Sequence, residues 1–434
     1  ASLEQHGHKA EIIDFGAEDV SKEYLKSCLK TADAVGMGVY TNNYEIAAET
    51  AKMIKELNSD IPLIIGGPHC TFLKERSLSH IPDADIVVEL EGEFVILDLV
   101  QFFQGRKKLS DVHGIYYREN KKIKSGKPLQ VIDNIDAIPF PARHLTEKYN
   151  YGNFLWMLQP SKKFTSMVTS RGCPFHCRFC SRYCNIKGWS YRRRSPENVI
   201  KEMQEINDKY RSVMIVDDTF LADPKWIHKT MDSIIETKLD LEILILGARV
   251  DTAEPELYKK MKKAGVKYVN FGIESGNQDI LNFYNKKITL QQIQKAVNLA
   301  REMNFITQGT LIFGAPIETK EHIQNTIRFT SSLPLDIVIF QPLAYELGSD
   351  LWEDAVKNKI LTKDDFMVEA DSRRGLGHFT SEELDKYIKE AYRHFYFNPN
   401  YLVRLLRGAF LRKDVDHLKN AFKLAFSPLW GRVL

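Results

Sequence analysis

The sequence predicts an α/β protein made of two successive parallel-sheet units followed by a helical region. Three observations predict it: short apolar runs alternate with helical patterns from about residue 10 to 100, six more strand-helix repeats follow over about 160–350, and the strand signal stops after residue 350. Alternation of this kind belongs to parallel sheets with helices on their faces. The 434 residues suit two or three domains, and a hydrophobic fraction of 44% is enough for buried cores. A total of 60 Lys and Arg against 57 Asp and Glu leaves a net charge of +3, so no global field favours nucleic acid as a partner. The first residues lack the apolar core of a secretion signal and no run of about 18 apolar residues occurs, which reads as a cytoplasmic protein.

In the first unit the apolar runs Ala10–Phe15, Ala34–Gly38 and Leu63–Ile65 alternate with the helical patterns Lys22–Thr31 and Ile46–Leu57. The segments Val35-Gly-Met-Gly-Val-Tyr-Thr41 and Leu63-Ile-Ile-Gly-Gly-Pro-His69 put glycines where parallel strands end. Backbone without side chains can approach a bulky ligand there, and open sheets bind ligands at that end. Gly114–Arg118 and Ile123 flank a hairpin-like turn, and Ile135–Ala142, with Pro139 and Pro141, reads as an extended linker.

Strand patterns then recur at Phe164–Ser170, Ser212–Asp218, Glu242–Arg249, Lys267–Glu274, Thr310–Gly314 and Ile337–Leu343, with helical patterns between them. Six such units fit a partial (β/α)6 barrel, where chemistry gathers at the C-terminal ends of strands. Ser381–Leu411 and Lys413–Phe426 read as helices.

Four of the six cysteines crowd into residues 173–184, which suggests metal binding rather than disulfides. Arg171-Gly-Cys-Pro-Phe-His-Cys-Arg-Phe-Cys180 follows the first barrel strand and sets Cys173, Cys177 and Cys180 at C-x3-C-x2-C spacing. Thiolates are the soft ligands that an iron–sulfur cluster needs, and three of them on four irons leave one iron open to a small molecule. A zinc site completed by Cys184 or His176, or a ferredoxin-like cluster recruiting Cys184, uses the same residues differently. Cys28 and Cys70 read as ordinary buried thiols.

The spacing, with the aromatic Phe179 before the last cysteine, resembles the signature of the radical S-adenosylmethionine (SAM) superfamily over about residues 160–350. The resemblance implies a 4Fe-4S cluster on the three cysteines and cleavage of SAM at the open iron, fed by an external electron donor of flavodoxin or ferredoxin type. It also implies SAM contacts from Phe179 and from residues at strand ends. Asp217 and Asp218 are candidates for the SAM amino group, one of them alternatively a helix cap. Arg249 sits where the family places an arginine near the SAM carboxylate, or is a rim ion pair. Glu274 and Ser275 are candidates for the carboxylate or ribose. Thr310-Leu-Ile-Phe-Gly-Ala-Pro-Ile-Glu-Thr319 is similar to the family segment beside the adenine, with Gly314 in place but Thr310 where the family has glycine. Glu318-Thr319 alternatively caps the next helix.

The glycine-bearing segments, with Glu89-Leu-Glu-Gly-Glu93 and the proline linker, resemble the Rossmann-like cobalamin-binding domain of cobalamin-dependent radical SAM proteins, apparently missing its first strand. That resemblance assigns Gly38, Tyr40, Thr41, Gly66, Gly67, Pro68, Gly92 and Glu93 to cobalamin, with His69 as a loop residue, and makes Gly67→Trp a way to block the corrin. The expected domains are 1–125 for cobalamin, a linker over 126–160, the barrel over 161–350 and the helical region over 351–434. The expected reaction is methylation of an unactivated carbon, by a branch that includes anaerobic porphyrin-ring cyclases and lipid-modifying enzymes. A cobalamin-assisted cyclisation or rearrangement is the alternative enzyme, and a cobalamin sensor or an iron–sulfur electron carrier the alternatives of other classes. The substrate class is a small molecule or lipid. Arg404, Arg407, Arg412, Lys413, Lys419 and Lys423 around an apolar face suit either peripheral membrane contact or a helical lid with solvated charges.

Overall fold

The computed structural model describes residues 1–149, 151, 163–181, 183, 186 and 189–412, with side chains to residue 407. The chain forms two compact units, Ala1–Asn150 and Tyr151–Leu434.

In the first unit α1 (Ser2–Gln5) and α2 (Lys22–Leu29) precede β1 (Val35–Gly38), α3 (Tyr44–Leu57), β2 (Leu63–Gly66), α4 (Pro68–Leu73), α5 (Ser77–His80), β3 (Ile86–Val88) and α6 (Val95–Phe103). The hairpin strands β4 (Ile115–Glu119) and β5 (Lys122–Ser125) close it. The sheet order is β1-β2-β3-β4-β5, parallel through β3 and antiparallel after it. Period-two alternation sends Leu63, Ile65 and Val87 into one core with Ala47, Ala51 and Ile54 of α3, and Ile64, Ile86 and Val88 into another with Leu99 of α6. The Ala10–Phe15 run is not a strand, and Ile12 and Phe15 are exposed. A run of apolar residues becomes a strand only beside a backbone it can pair with, and here the Asp14 N–H is taken by the Tyr149 hydroxyl instead. β3 escaped the sequence reading because three residues are too few to show a period.

The second unit starts with β6 (Phe164–Met167), then β7 (Ser170–Arg171) paired with β8 (Arg192–Arg193). There follow α7 (Pro196–Asn207), β9 (Ser212–Ile215), α8 (Pro224–Thr237), β10 (Glu242–Ala248), α9 (Pro255–Lys263), β11 (Val266–Glu274), α10 (Gln278–Phe283), α11 (Leu290–Glu302), β12 (Ile306–Phe313), α12 (Lys320–Ser332) and β13 (Ile337–Pro342). Six parallel strands in the order β6-β9-β10-β11-β12-β13 make an open partial barrel. Four of its helices, α7, α8, α11 and α12, begin at oxygen-bearing caps, Ser195, Asp223, Thr289 and Thr319, whose side chains accept otherwise unpaired N–H groups.

Beyond the barrel lie β14 (Ala344–Glu346), α13 (Asp350–Lys357), β15 (Met367–Glu369), α14 (Ser381–Tyr396) and α15 (Pro399–Arg412). The expected single helix Ser381–Leu411 is broken at Asn398-Pro399, because proline disfavours helical backbone in the residue before it. The Lys413–Phe426 pattern lies outside the described residues. α14 runs antiparallel along the edge strand β13, and its Tyr392 and Tyr396 hydroxyls accept from the Phe340 and Val338 N–H groups at 3.1 and 3.3 Å. That blunts the open edge of the sheet. No described helix is long and apolar enough to cross a membrane.

Candidate active site

β6 feeds through β7 into the cysteine loop, which the segment after α10 pins in place. The Arg178 N–H donates to the Tyr284 carbonyl at 3.0 Å, and the Asn285 amide donates to the His176 carbonyl at 2.7 Å. Phe179 meets the Tyr284 ring edge-on at 5.0 Å, and the Arg249 guanidinium lies 3.6 Å over the Phe175 ring. Cys177 is buried and Cys173 partly so; Cys180 retains accessible surface although protein surrounds it, as on the wall of a recess. Burial pushes Cys173 up to about 11 and Cys180 up to about 12, and the neighbouring cysteines and Asp218 push the same way. Bare thiols so placed stay protonated, and a bound metal supplies the positive charge that makes them thiolates. Among the described residues no three Cys, His, Asp or Glu converge as tightly as a single ion requires. A cluster suits this arrangement better, since it spreads its thiolates over several irons. Cys184 lies outside the described residues.

The paired carboxylates at the end of β9 part company. Asp217 is buried and spent on the frame: it accepts from the Thr169 N–H at 2.7 Å and from the Thr169 and Ser170 hydroxyls at 2.5 and 2.6 Å. Asp218 is exposed at the barrel mouth beside the Cys173 and Cys180 thiols, and desolvation raises its carboxyl above the usual range. Of the two candidates, therefore, only Asp218 has a carboxylate to offer a ligand.

The end of β11 divides in the same way. Glu274 holds a left-handed φ of +64° at a register shift, a conformation that costs about 1–3 kcal/mol and marks functional sites. Its carboxylate pairs at 2.5 Å with Lys286, a buried cation that sequence reasoning missed. Burial works against the charged Lys286, but Glu274 and the Cys177 thiol outweigh it and raise its pKa. Lys286 also stands 5.9 Å from the Phe179 ring centre. In an Asn-Lys-Lys turn a lysine reads as solvated, and no local signal distinguishes it. Ser275, by contrast, is fully buried, and its hydroxyl is occupied with Thr326 and the Asn277 N–H, so the expected ligand contact gives way to packing.

Arg249 takes the rim-ion-pair alternative: it chelates Asp251 at 3.0 and 2.7 Å and donates to the Lys286 carbonyl at 3.0 Å. Gly314 ends β12 in a close fit, where a Cβ would meet Leu384 at 2.9 Å and Ala370 at 3.0 Å. Of the following Glu318-Thr319, Thr319 alone caps α12. Glu318 is buried, accepts from the Gly314 N–H, and is pushed by burial to about 7.

In the first unit the residues expected around cobalamin lie in or after β1, β2 and β3, at the end where these parallel strands finish. Gly36 and Gly38 on β1 open on space, with nothing within 4 Å of a Cβ, and Tyr40, Ile46 and Phe94 expose apolar surface. Thr41 is buried, while Gly66, Pro68, Gly92 and Glu93 are partly accessible. A large flat ligand fits such an open, apolar strand-end cradle. His69 is not a loop residue: it sits fully buried in α4, stacked on Tyr44 at 5.0 Å, and burial lowers it to about 4.

Gly67 serves the chain rather than a ligand, since at φ +99° a Cβ would stand 2.9 Å from the Val39 carbonyl oxygen. Gly67→Ala is therefore expected to destabilise the first unit by about 1–3 kcal/mol, and Gly67→Trp would disturb folding before it blocked anything. Gly38→Trp is the substitution expected to abolish cobalamin binding with the fold intact. Cobalamin absorbance retained by the protein, together with circular dichroism melting of both variants, checks this.

Residues 1–100 match the B12 binding domain and residues 167–330 the radical SAM superfamily. A Pyrococcus horikoshii protein named an uncharacterized methyltransferase is 33% identical over 410 residues, covering 93% of this chain and 88% of that one. The chain belongs to the cobalamin-dependent radical SAM family. The anaerobic magnesium-protoporphyrin IX monomethyl ester cyclase of Cereibacter sphaeroides is 26% identical over 97% of this chain and 71% of its own length. In fold, this radical SAM protein resembles the solved radical SAM methyltransferase TsrM from Kitasatospora setae, with a TM-score of 0.69 at 17% identity over 82% of this chain and 72% of that one. It likewise resembles the cobalamin-dependent radical enzyme OxsB, with a TM-score of 0.70 at 16% identity over 98% and 68% of the two chains. The protein is thus an enzyme whose cofactors are a 4Fe-4S cluster, SAM and cobalamin.

Proposed function

We propose that this enzyme methylates an unreactive carbon of a small-molecule or lipid substrate. The observation that carries the reading is the gathering of Cys173, Cys177 and Cys180 with Asp218, Glu274 and Lys286 at the strand ends of a barrel, in a chain whose first unit opens a cradle at Gly36 and Gly38. Methylation is favoured over ring closure by the names of the relatives, which include a hopanoid C-3 methylase of Methylococcus capsulatus at 25% identity over 85% of this chain and 69% of that one.

When bound, the cluster and SAM supply hydrogen abstraction and cobalamin supplies a transferable methyl group. The protein's own part is placement. The first compact unit, Ala1–Asn150, supplies the cobalamin domain and takes in most of the stretch 126–160 expected as a linker, since Ile135 is buried and the Ile132 N–H donates to Glu91; the barrel strands run from Phe164 to Pro342, and α13 to α15 follow with the short strand β15 among them. The three cysteines hold the cluster; Phe179, Asp218, Glu274, Gly314 and the newly found Lys286 line the SAM side, while Asp217 and Ser275 brace the strands that carry them. Lys286 presents an ammonium suited to a carboxylate, and Asp218 an acceptor suited to an ammonium. Tyr40, Thr41, Gly66, Pro68, Gly92 and Glu93 border the cobalamin cradle. The cysteine thiols suit a reducing cytoplasm, and a flavodoxin or ferredoxin supplies the electron.

The test is stoichiometric. Methylation uses one SAM as methyl donor and a second as radical source, so S-adenosylhomocysteine and 5′-deoxyadenosine should accumulate together, at a ratio of about one to one with substrate and excess reductant. Turnover with 5′-deoxyadenosine but without S-adenosylhomocysteine would replace methylation by cyclisation or rearrangement.

A further inference from the structure

The outer face of α14 carries Lys386, Lys389, Arg393 and Phe397 along one exposed stripe, at helical spacing. With Glu390, His394, Asn398 and Pro399 they line a groove of about 850 Å³. Glu390 accepts from the Gln324 amide, and among the described residues Lys386, Lys389, Arg393 and the exposed Arg407 are drawn into no ion pair. α15 follows directly. It buries Tyr401 and Leu405 and turns outward Leu402, Val403 and Leu406, the last two 66% and 57% exposed. Three cations of α14 with the single Glu390 carboxylate among them, and Arg407 of α15, leave a net positive patch beside a row of exposed aliphatic side chains, which matches an anionic surface with an apolar interior beneath it.

The position of this patch is defined by hydrogen bonds. Tyr392 bonds Phe340 midway along β13, Tyr396 bonds Val338 nearer its start, and the Tyr401 hydroxyl donates to the Asp336 carbonyl, just before the strand begins. The chain from Phe397 to Leu406 therefore lies at the N-terminal ends of the barrel strands, opposite the end that carries the cysteine loop.

We propose that the end of α14 and the outer face of α15 dock the protein on an anionic lipid bilayer, through Lys386, Lys389, Arg393 and Arg407 at the headgroups and Leu402, Val403 and Leu406 at the acyl boundary. No step of the methylation reading depends on this contact.

Co-sedimentation of the full chain, cluster in place, with vesicles of phosphatidylcholine containing about one third phosphatidylglycerol tests this. Binding should appear with those vesicles and not with phosphatidylcholine alone, and should weaken as salt screens the charges. Reversing three charges in Lys386→Glu/Lys389→Glu/Arg393→Glu should weaken it by about a hundredfold or more. Val403→Glu/Leu406→Glu should weaken it too, with the thermal transition and SAM cleavage of both variants unchanged. No binding by the parent chain, or equal binding by parent and variants, overturns the proposal. A dimer that Val403→Glu/Leu406→Glu converts to monomer, with vesicle binding intact, also overturns it and assigns the face to a second copy of this chain.

Discussion

Alanine at Cys173, Cys177 or Cys180 abolishes SAM cleavage, and iron and sulfide fall from about four of each per chain to traces. The effect is all-or-none because one loop supplies all three ligands. With one thiolate lost a second iron, beside the open one, loses its protein ligand. The remaining thiols, raised by burial and by one another, revert to the protonated state once metal is gone. Cys184→Ala is expected to keep both the cluster and the cleavage. Iron and sulfide analysis after anaerobic reconstitution, with 5′-deoxyadenosine measured by chromatography, decides the matter. A cluster that survives Cys173→Ala and is lost in Cys184→Ala would require a different ligand set.

Lys286→Met carries the largest expected cost to the fold, about 3–5 kcal/mol, measured without SAM as a lower transition of the barrel unit. The ammonium and the Glu274 carboxylate are each about one-tenth exposed or less, and Gly272 packs so closely that a Cβ there would meet both. Removing the cation leaves a buried carboxylate at a strained backbone position with its charge uncompensated. Glu274→Gln together with Lys286→Met removes both charges and should recover much of the loss. A double variant as unstable as the sum of the single ones would show that the two residues act independently of their pairing.

Much of the fold and of the site is legible in the sequence where the physics is local. The three cysteines of the signature share one loop, so their spacing and the family resemblance it carries are legible without the fold. The strand-helix alternation is legible because a buried parallel strand and an amphipathic helix each impress a period on their own residues. The strand ends were located correctly for the same reason, but the roles of neighbours there were not separable. Asp217 and Asp218 are both acids, yet one ties β9 to Thr169 and Ser170 while the other faces the thiols. Glu274 and Ser275 divide likewise at a register shift that no pattern announces. The Gly67 substitution misled for a related reason: a glycine at a strand end is free for a ligand only if no neighbouring backbone already fills the space, and Val39 does.

Local patterns in the chain specify the class of chemistry, the cysteine loop expected to anchor it, the order of the two parallel-sheet units and the end of each sheet where ligands go. Those properties depend on residues a few positions apart. The packing of distant segments settles which polar side chains are free to act. It brought Lys286 from twelve residues away onto Glu274, set the Lys286 carbonyl to accept from Arg249, and laid the tyrosines of α14 along the open edge of β13. A charge or hydroxyl is spent on whatever partner the fold places beside it, and those partners are distant in sequence, so their availability is a property of the packed chain alone.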